Sequence, residues 1–237
     1  MSYSIILPSY KEAKNLDIII DQIQKYMNKK VFEIIVVDDF SDDGSEKILI
    51  KKQKRYKNLF FYLRKSSDKS LAKSIYKGIT LAKKQNIIVM DSDFNHKPKD
   101  LKLLINDYEK KNLDFIIGSR FEYFKFKKLK LRFIFSYFFC IFLSILLGIK
   151  SSDSLSGFFI LKKKIIKKNF KDKIFYGYGD FFFRLIYHIE KKNYQYSNVQ
   201  ITYGERIFGI SKSTFFGLFI KYTFQALKLK ITGIKTS

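Results

Sequence analysis

The sequence predicts an α/β fold built on a mostly parallel sheet flanked by helices, and three observations carry that expectation. Short β-branched apolar runs recur at residues 4–8, 32–37 and 86–90, the composition of strands buried on both faces. Between them lie segments whose apolar residues are spaced three and four apart, as on a helix packed against a sheet. Each of these runs ends in a turn that carries carboxylates. A strand–helix–strand rhythm of this kind predicts parallel strands with right-handed crossovers.

The elements follow in order. Residues 4–8 read as a first strand, and Pro8, Ser9, Tyr10, Lys11 and Glu12 as the loop leaving it. Asn15 is placed to cap a helix over residues 16–23. A second strand at 32–37 runs into the acidic turn of Asp38, Asp39, Asp42 and Asp43, followed by another helix. A strand near 59–63 and a helix near 71–84 precede the third buried run. That run, 86–90, ends in Asp91-Ser92-Asp93-Phe94-Asn95-His96. Carboxylates two apart on an extended segment share a side of the backbone. Asp91 and Asp93 therefore present hard oxygen ligands suited to Mg²⁺ or Mn²⁺. In open α/β sheets ligands bind outside the carboxyl ends of the strands, which is where all three acidic loops fall.

Composition narrows the class. The 237 residues carry 46% hydrophobic side chains, enough for one sizeable α/β domain, and a formal net charge of +24. The charge is uneven, net +7 over residues 1–119 and net +17 over residues 120–237. The basic half is also rich in Phe and Tyr, set in apolar runs, which fits an anionic membrane surface better than a nucleic acid. Lys outnumbers Arg 40 to 6, so much of the Lys is ordinary solvated surface and each Arg is the more informative residue. The single Cys140 excludes an internal disulfide framework and fits a reducing compartment. Its place in an apolar run makes it a packing residue. Met1-Ser2-Tyr3-Ser4 leads straight into a strand, so no signal peptide is expected. Two histidines, His96 and His188, give little support to a Ser-His-Asp triad or a His-rich metal site. There is neither a G-x-G-x-x-G nor a Walker A motif, which argues against a dinucleotide dehydrogenase or a P-loop kinase.

Pro8-Ser9-Tyr10-Lys11-Glu12, Val37-Asp38-Asp39 with Asp43-Gly44, and Asp91-x-Asp93 together resemble the signature of family 2 (GT-A fold) glycosyltransferases. The second half is similar to the polyprenyl-phosphate (dolichol-phosphate) mannose synthase branch: Gly118-Ser119-Arg120, Ser152 to Phe158, Tyr178-Gly179-Asp180, and Glu205-Arg206 with Gly209, Ser211 and Lys212. The likeness runs over roughly residues 3–215. It implies a GT-A catalytic domain over residues 1–212 and a donor site formed by Pro8, Tyr10, Glu12, Val37, Asp39, Asp91, Ser92, Asp93 and Arg120. It also implies a divalent metal held by Asp91, Asp93 and Asn95. Lys11 stands where many relatives carry Asn, and Asp180 where many carry Glu.

Arg206 and Lys212 are the cations expected on an acceptor phosphate, Arg as a planar fork and Lys as a mobile point charge. Ser156 joins them by resemblance, although Ser156-Gly157 reads equally as a plain turn. Residues 131–149 approach the length of a bilayer span, ~20 residues. A true span there would separate the Asp91 loop from the Arg206 loop, so an amphipathic membrane-interface helix is expected instead. Lys125, Lys127, Lys128 and Lys130 precede it, each worth ~1 kcal/mol at an anionic headgroup surface. Residues 213–237 read as a second membrane-facing segment.

The activity implied is metal-dependent, inverting transfer of a hexose from a nucleotide sugar, GDP-mannose first and UDP-glucose second, to a polyprenyl or dolichyl monophosphate. The expected setting is the cytoplasmic membrane face, with a membrane-anchoring partner among the expected partners. The rival is transfer to a sugar hydroxyl, which needs a general base, and Asp180 is the residue for it. A basic binding module without catalysis leaves the three acidic loops unexplained.

Overall fold

The computed structural model describes residues 1–65, 69–122, 131–204, 206–208 and 215–234. Along the chain run β1 (Ser2–Ser9), α1 (Ala13–Met27), β2 (Val31–Asp38), α2 (Ser45–Arg55), β3 (Leu59–Leu63), α3 (Leu71–Leu81), β4 (Asn86–Val89) and α4 (Asp100–Lys110). Then come β5 (Phe115–Ser119), α5 (Leu131–Leu147), β6 (Phe159–Lys162), α6 (Phe170–Lys173), α7 (Phe181–Lys191), β7 (Tyr196–Gln200) and α8 (Phe215–Thr232).

The strands form one sheet in the order β3-β2-β1-β4-β6-β5-β7. β1 pairs in parallel with β2 and β4, and β2 with β3. β6 is the exception, antiparallel between β4 and β5, while β7 runs parallel to β5. The consequence for function is directional. The carboxyl ends of β1, β2, β4, β5 and β7 all emerge at one edge, and the reversed β6 brings its entry residues, Ser156 to Phe158, to that same edge.

Strand alternation sorts the core onto two faces. Ile5, Leu7, Ile34, Val36, Ile88, Ile116 and Ile160 pack under α1 and α4, whereas Ile6, Ile35, Val37, Val89, Ile117 and Phe159 pack under α3, α5 and α7. The aromatics concentrate on the second face, where Phe182 stacks on Phe159 with ring centroids 5.3 Å apart. α3 lies close because Gly78 has no side chain: a Cβ there would come 2.4 Å from the Ile6 Cγ2.

Two sequence expectations are corrected. The first helix begins at Ala13, and Asn15 lies buried within it instead of capping it. The orphan amide of Ala13 is taken by the Asp43 carboxylate at 2.9 Å, so the cap comes from the neighbouring acidic turn. The helix over 71–84 stops at Leu81, because Ala82 has turned to an extended conformation with ψ 133°.

α5 and α8 pack against each other and feed Phe139, Leu143, Leu147, Tyr222, Ala226 and Leu229 into the second-face core. Their other sides are apolar and exposed. Leu131, Phe135, Phe138, Phe142 and Ile145 form a stripe on α5, and Ile220, Phe224, Leu227 and Ile231 one on α8, with Ile145 and Ile231 79% and 84% exposed. Among the described residues no helix is long and apolar enough to cross a membrane.

Two predictions follow from this packing. Gly78→Ala should lower stability by about 1 kcal/mol or more in a denaturant titration, since overpacking against Ile6 outweighs the ~1 kcal/mol that Ala gains over Gly in a helix. An unchanged or raised midpoint would refute the close approach. His188 is buried, edge-on to Phe170 at 4.7 Å, and burial together with Lys192 and Lys167 lowers its pKa from 6.5 to about 4. The unfolded chain therefore binds more protons in that window, and stability falls as pH drops from 6.5 towards 4. His188→Gln should flatten the stability–pH profile there by up to ~1.4 kcal/mol per pH unit; a parallel profile would place His188 in water.

Candidate active site

The acidic loops meet at the shared edge. Ser9 and Asp38 are register partners on β1 and β2, and the Asp39 amide donates to the Ser9 carbonyl at 2.8 Å. Ser92 donates its hydroxyl to the Pro8 carbonyl at 2.9 Å, tying the turn after β4 to the end of β1. Val37 is fully buried in the core beneath these loops. Tyr10 lies at the open side, its ring under the Lys69 ammonium at 4.2 Å.

Asp39 is buried and fully engaged. Its Oδ1 takes the Arg64 Nη1 at 2.7 Å and its Oδ2 the Ser70 amide at 2.6 Å. Burial raises its pKa, against the pull of the Ser70 amide and Arg64. Arg64 also donates to the Ser70 carbonyl and the Ser74 hydroxyl. Sequence reasoning passed over Arg64, although it is one of only six arginines.

The turn after β4 holds the densest negative charge. Burial pushes the Asp91 carboxyl up to about 6 against the opposing charges of Arg206 and Arg120, and burial plus the neighbouring Asp91 does the same for Asp93. Paired, desolvated carboxylates of this kind favour a proton or a cation. In the structure the cation is Arg206. Its Nη2 lies 2.5 Å from the Asp93 Oδ2 and its Nη1 2.7 Å from the Glu12 Oε1. Asn95 donates its amide to the Asp93 Oδ1 and its side-chain nitrogen to Oδ2, both at 3.0 Å. His96 is fully buried, stacked on Phe158 at 4.9 Å, and accepts the Asp91 amide on Nδ1 at 3.1 Å. Burial lowers its pKa to about 4, so the ring is a neutral support for the turn. No three His, Cys, Asp or Glu side chains cluster to hold a metal among the described residues.

Residues 201–204 and 206–208 cross the edge above this turn. Thr202 donates its amide to Asp100, Gly204 donates its amide to the Asn95 carbonyl at 2.9 Å, and His96 and Tyr203 form a β-bridge. Only glycine fits at 204, where a Cβ would lie 2.5 Å from the Phe94 carbonyl oxygen. This is how the chain brings Arg206 onto Asp93, 113 residues away in sequence. Lys212, expected beside it, lies outside the described residues, as do Glu205, Gly209, Ser211 and Lys125 to Lys130.

Arg120 is held by the fully buried Asp153 through Nε at 2.7 Å and Nη2 at 2.8 Å. Its guanidinium lies over the Phe121 and Tyr203 rings at 4.8 and 5.2 Å. Cys140, buried as a packing residue, points its thiol at the same carboxylate, and burial raises its pKa. Ser156 donates to the Gly118 carbonyl and accepts the Phe158 amide, the bonding of a structural turn. Asp180 has a counter-charge of its own. It is fully buried at the start of α7, with Arg184 Nη1 at 2.5 Å and the Tyr178 amide at 2.7 Å. Arg184 and Asp153 were not legible as site-shaping residues; the only signal was, once more, the scarcity of Arg.

A mostly parallel sheet of this order, with acidic turns gathered at the carboxyl edge, is the architecture of GT-A glycosyltransferases. The model of glycosyl transferase family 2 matches residues 4–170, and the chain belongs to that family. An uncharacterized protein of Methanocaldococcus jannaschii is 32% identical over 68% of this chain and 72% of its own length. Dolichol-phosphate mannosyltransferases of Pyrococcus furiosus and Mycosarcoma maydis are 31% and 30% identical; each match covers 51% of this chain, and 34% and 42% of theirs. The chain thus matches less than half the length of these two curated relatives. Glucosyl-3-phosphoglycerate synthase from Mycobacterium tuberculosis, solved with Mn²⁺, UDP and glucosyl-3-phosphoglycerate, superposes with a TM-score of 0.70 at 17% identity, over 100% of this chain and 81% of that one. Staphylococcus aureus TarS gives a TM-score of 0.60 at 16% identity, over 100% of this chain and 41% of that one. The chain is a glycosyltransferase.

Asp180→Asn leaves a fully buried guanidinium without its counter-charge, and should lower unfolding free energy by about 3 kcal/mol or more. Asp107→Asn, which removes the exposed i,i+4 pair with Lys111, should cost less than about 0.5 kcal/mol. Equal losses in urea titrations would show that the Asp180–Arg184 pair is solvated.

Proposed function

We propose that this glycosyltransferase moves a hexose from a nucleotide diphosphate sugar, GDP-mannose first, onto a polyprenyl or dolichyl monophosphate at an anionic membrane surface. The observation that carries the choice of acceptor is Asp180. A hydroxyl acceptor needs a base within hydrogen-bond reach, yet Asp180 is fully buried and locked to Arg184. A phosphate monoester is already anionic at pH 7 and requires no such base. The two dolichol-phosphate mannosyltransferase relatives support the same acceptor.

In this reading Pro8, Tyr10, Val37 and Asp39 line the nucleoside side, with Asp39 oriented by Arg64 and Ser70, while Glu12, expected beside them, is paired with Arg206. The donor set at the strand end, two carboxylates and the Asn95 amide, fits Mg²⁺ or Mn²⁺, and it already holds positive charge in the form of Arg206. When bound, the metal neutralises charge on the leaving diphosphate. Asp91, Asp93 and Asn95 hold it, Ser92 fixes their turn to Pro8, and Arg120 raises the local positive potential from its seat on Asp153. Arg206 and Lys212 receive the acceptor phosphate, while Ser156, its hydroxyl proton given to the Gly118 carbonyl, serves its own turn, so the protein contributes chiefly position and electrostatics.

The exposed stripes on α5 and α8 are the surface we assign to lipid. Scattered exposed apolar residues are ordinary, but contiguous stripes on two neighbouring helices mark an interaction face, and net charge +24 selects an anionic one. Residues 1–212 then form the catalytic unit and 213–237 a membrane-facing segment whose inner side shares the catalytic core through Tyr222, Ala226 and Leu229.

The test is transfer in detergent with Mg²⁺ or Mn²⁺ present, following label from GDP-mannose and UDP-glucose in parallel into a polyprenyl phosphate. Metal-dependent label in the organic phase from GDP-mannose is the expected result. Metal-dependent donor binding without lipid labelling from either donor would overturn the acceptor and favour the alternative, a family 2 transferase acting on a sugar hydroxyl in surface glycan assembly.

A further inference from the structure

We infer that Glu12 is the positioning residue of the acceptor-phosphate cation, and that Arg206 and a divalent cation hold Asp93 in turn, never together. This deepens the reading above and rests on it for the identity of the phosphate.

Asp93 offers two oxygens, and both are taken. Oδ1 accepts the Asn95 amide at 3.0 Å, and Oδ2 accepts the Asn95 side chain at 3.0 Å and Arg206 at 2.5 Å. A guanidinium has only donors and a fixed positive charge. A divalent cation arriving at the Asp93 Oδ2 meets both an occupied oxygen and a like charge, so its entry breaks the Asp93–Arg206 pair. The pair with Glu12 is separate. Glu12 sits on the β1–α1 loop, 7% exposed, and its second oxygen is fixed by the Asn15 side-chain nitrogen. The same Asn15 nitrogen donates to the Phe208 carbonyl at 3.2 Å, a second tether two residues beyond Arg206. When Asp93 turns to metal, Glu12 keeps the Arg206 Nη1 and leaves Nη2 facing the edge where an acceptor phosphate arrives. Glu12 thus acts through Arg206, not on the nucleoside.

The test begins with Mn²⁺ alone. Binding to the wild-type chain, Arg206→Gln and Arg206→Lys is read from the electron paramagnetic resonance of free Mn²⁺, without nucleotide or lipid, after thermal melts confirm that each variant is folded. Arg206→Gln should bind about tenfold tighter, because a competing charge is gone, and Arg206→Lys should stay near wild type. Equal or weaker binding by Arg206→Gln, or tightening by Arg206→Lys, would overturn the competition. This arm involves no acceptor, so its failure is distinct from failure of the lipid-phosphate reading. The second arm is Glu12→Gln. Donor affinity measured calorimetrically with Mn²⁺ should hold within about twofold, while KM for polyprenyl phosphate rises about tenfold and kcat falls less. A tenfold loss of donor affinity with acceptor KM unchanged would make Glu12 a nucleoside contact and overturn its positioning role.

Discussion

Buried negative charge at one sheet edge is the constraint around which the rest of this molecule is arranged. Asp39, Asp93, Asp153 and Asp180 are all at least nine-tenths buried, and an isolated carboxylate cannot remain ionised in such surroundings. Each is given an arginine: Arg64 for Asp39, Arg206 for Asp93, Arg120 for Asp153 and Arg184 for Asp180. Four of the six arginines in the chain are used in this way, whereas lysines make the exposed pairs such as Lys111–Asp107 and Lys11–Asp42. The division follows from chemistry, since a guanidinium is weakly hydrated and forks onto two oxygens while an ammonium holds its water. Arg120 shows the fork most fully, two nitrogens on the two Asp153 oxygens.

Strand direction is what concentrates that charge. Because β5 and β7 run with β1, β2 and β4, their carboxyl ends add Ser119-Arg120 and residues 201–204 and 206–208 to an edge already carrying the acidic turns. The single reversed strand, β6, keeps the pattern intact by entering the sheet at that edge. Its preceding turn places Asp153 under Arg120 and Phe158 under His96. One antiparallel insertion thus supplies both a counter-charge and an apolar floor. The glycines at 78 and 204 mark where backbone and side chain must come unusually close for this to hold, on α3 over β1 and on the crossing segment over the Asp91 turn.

Much of this was legible in the sequence. The strands appear as β-branched runs because burial on both faces demands them, and β1, β2 and β4 extend at most two residues beyond the runs at either end. The three carboxylate turns could be read together because parallel connectivity fixes them to one edge. Pairing was the part that could not be read. Nothing local to Asp39 points to Arg64, 25 residues on, or local to Glu12 to Arg206, 194 residues on. Asn15 misled for a related reason, since it is a good cap by type but the Asp43 carboxylate, brought in by β-sheet register, takes the Ala13 amide instead. Asp180 was expected as a base only in the rival, hydroxyl-acceptor reading, and the fold places Arg184 one helical turn away on it. The 131–149 run was ambiguous because an apolar helix reads alike whether it faces protein or lipid; α5 faces protein with one side and is exposed on the other.

Asp91 stands apart within this arrangement. Its carboxylate is 35% exposed, more than those of Asp39, Asp93, Asp153 or Asp180, and its near neighbour is the neutral His96 ring, whose Nδ1 lies 3.6 Å from Oδ2. Arg206 and Arg120 act on it as charges at a distance, and burial still holds its pKa near 6. The arginines thus neutralise the interior of the edge and leave a residue of negative charge at its outer rim. In the proposed reading a cation arriving there would meet Asp91 first, and Asp93 only by displacing Arg206. Counter-charge at this edge thus follows depth: the four acids that carry an arginine are each more buried than Asp91.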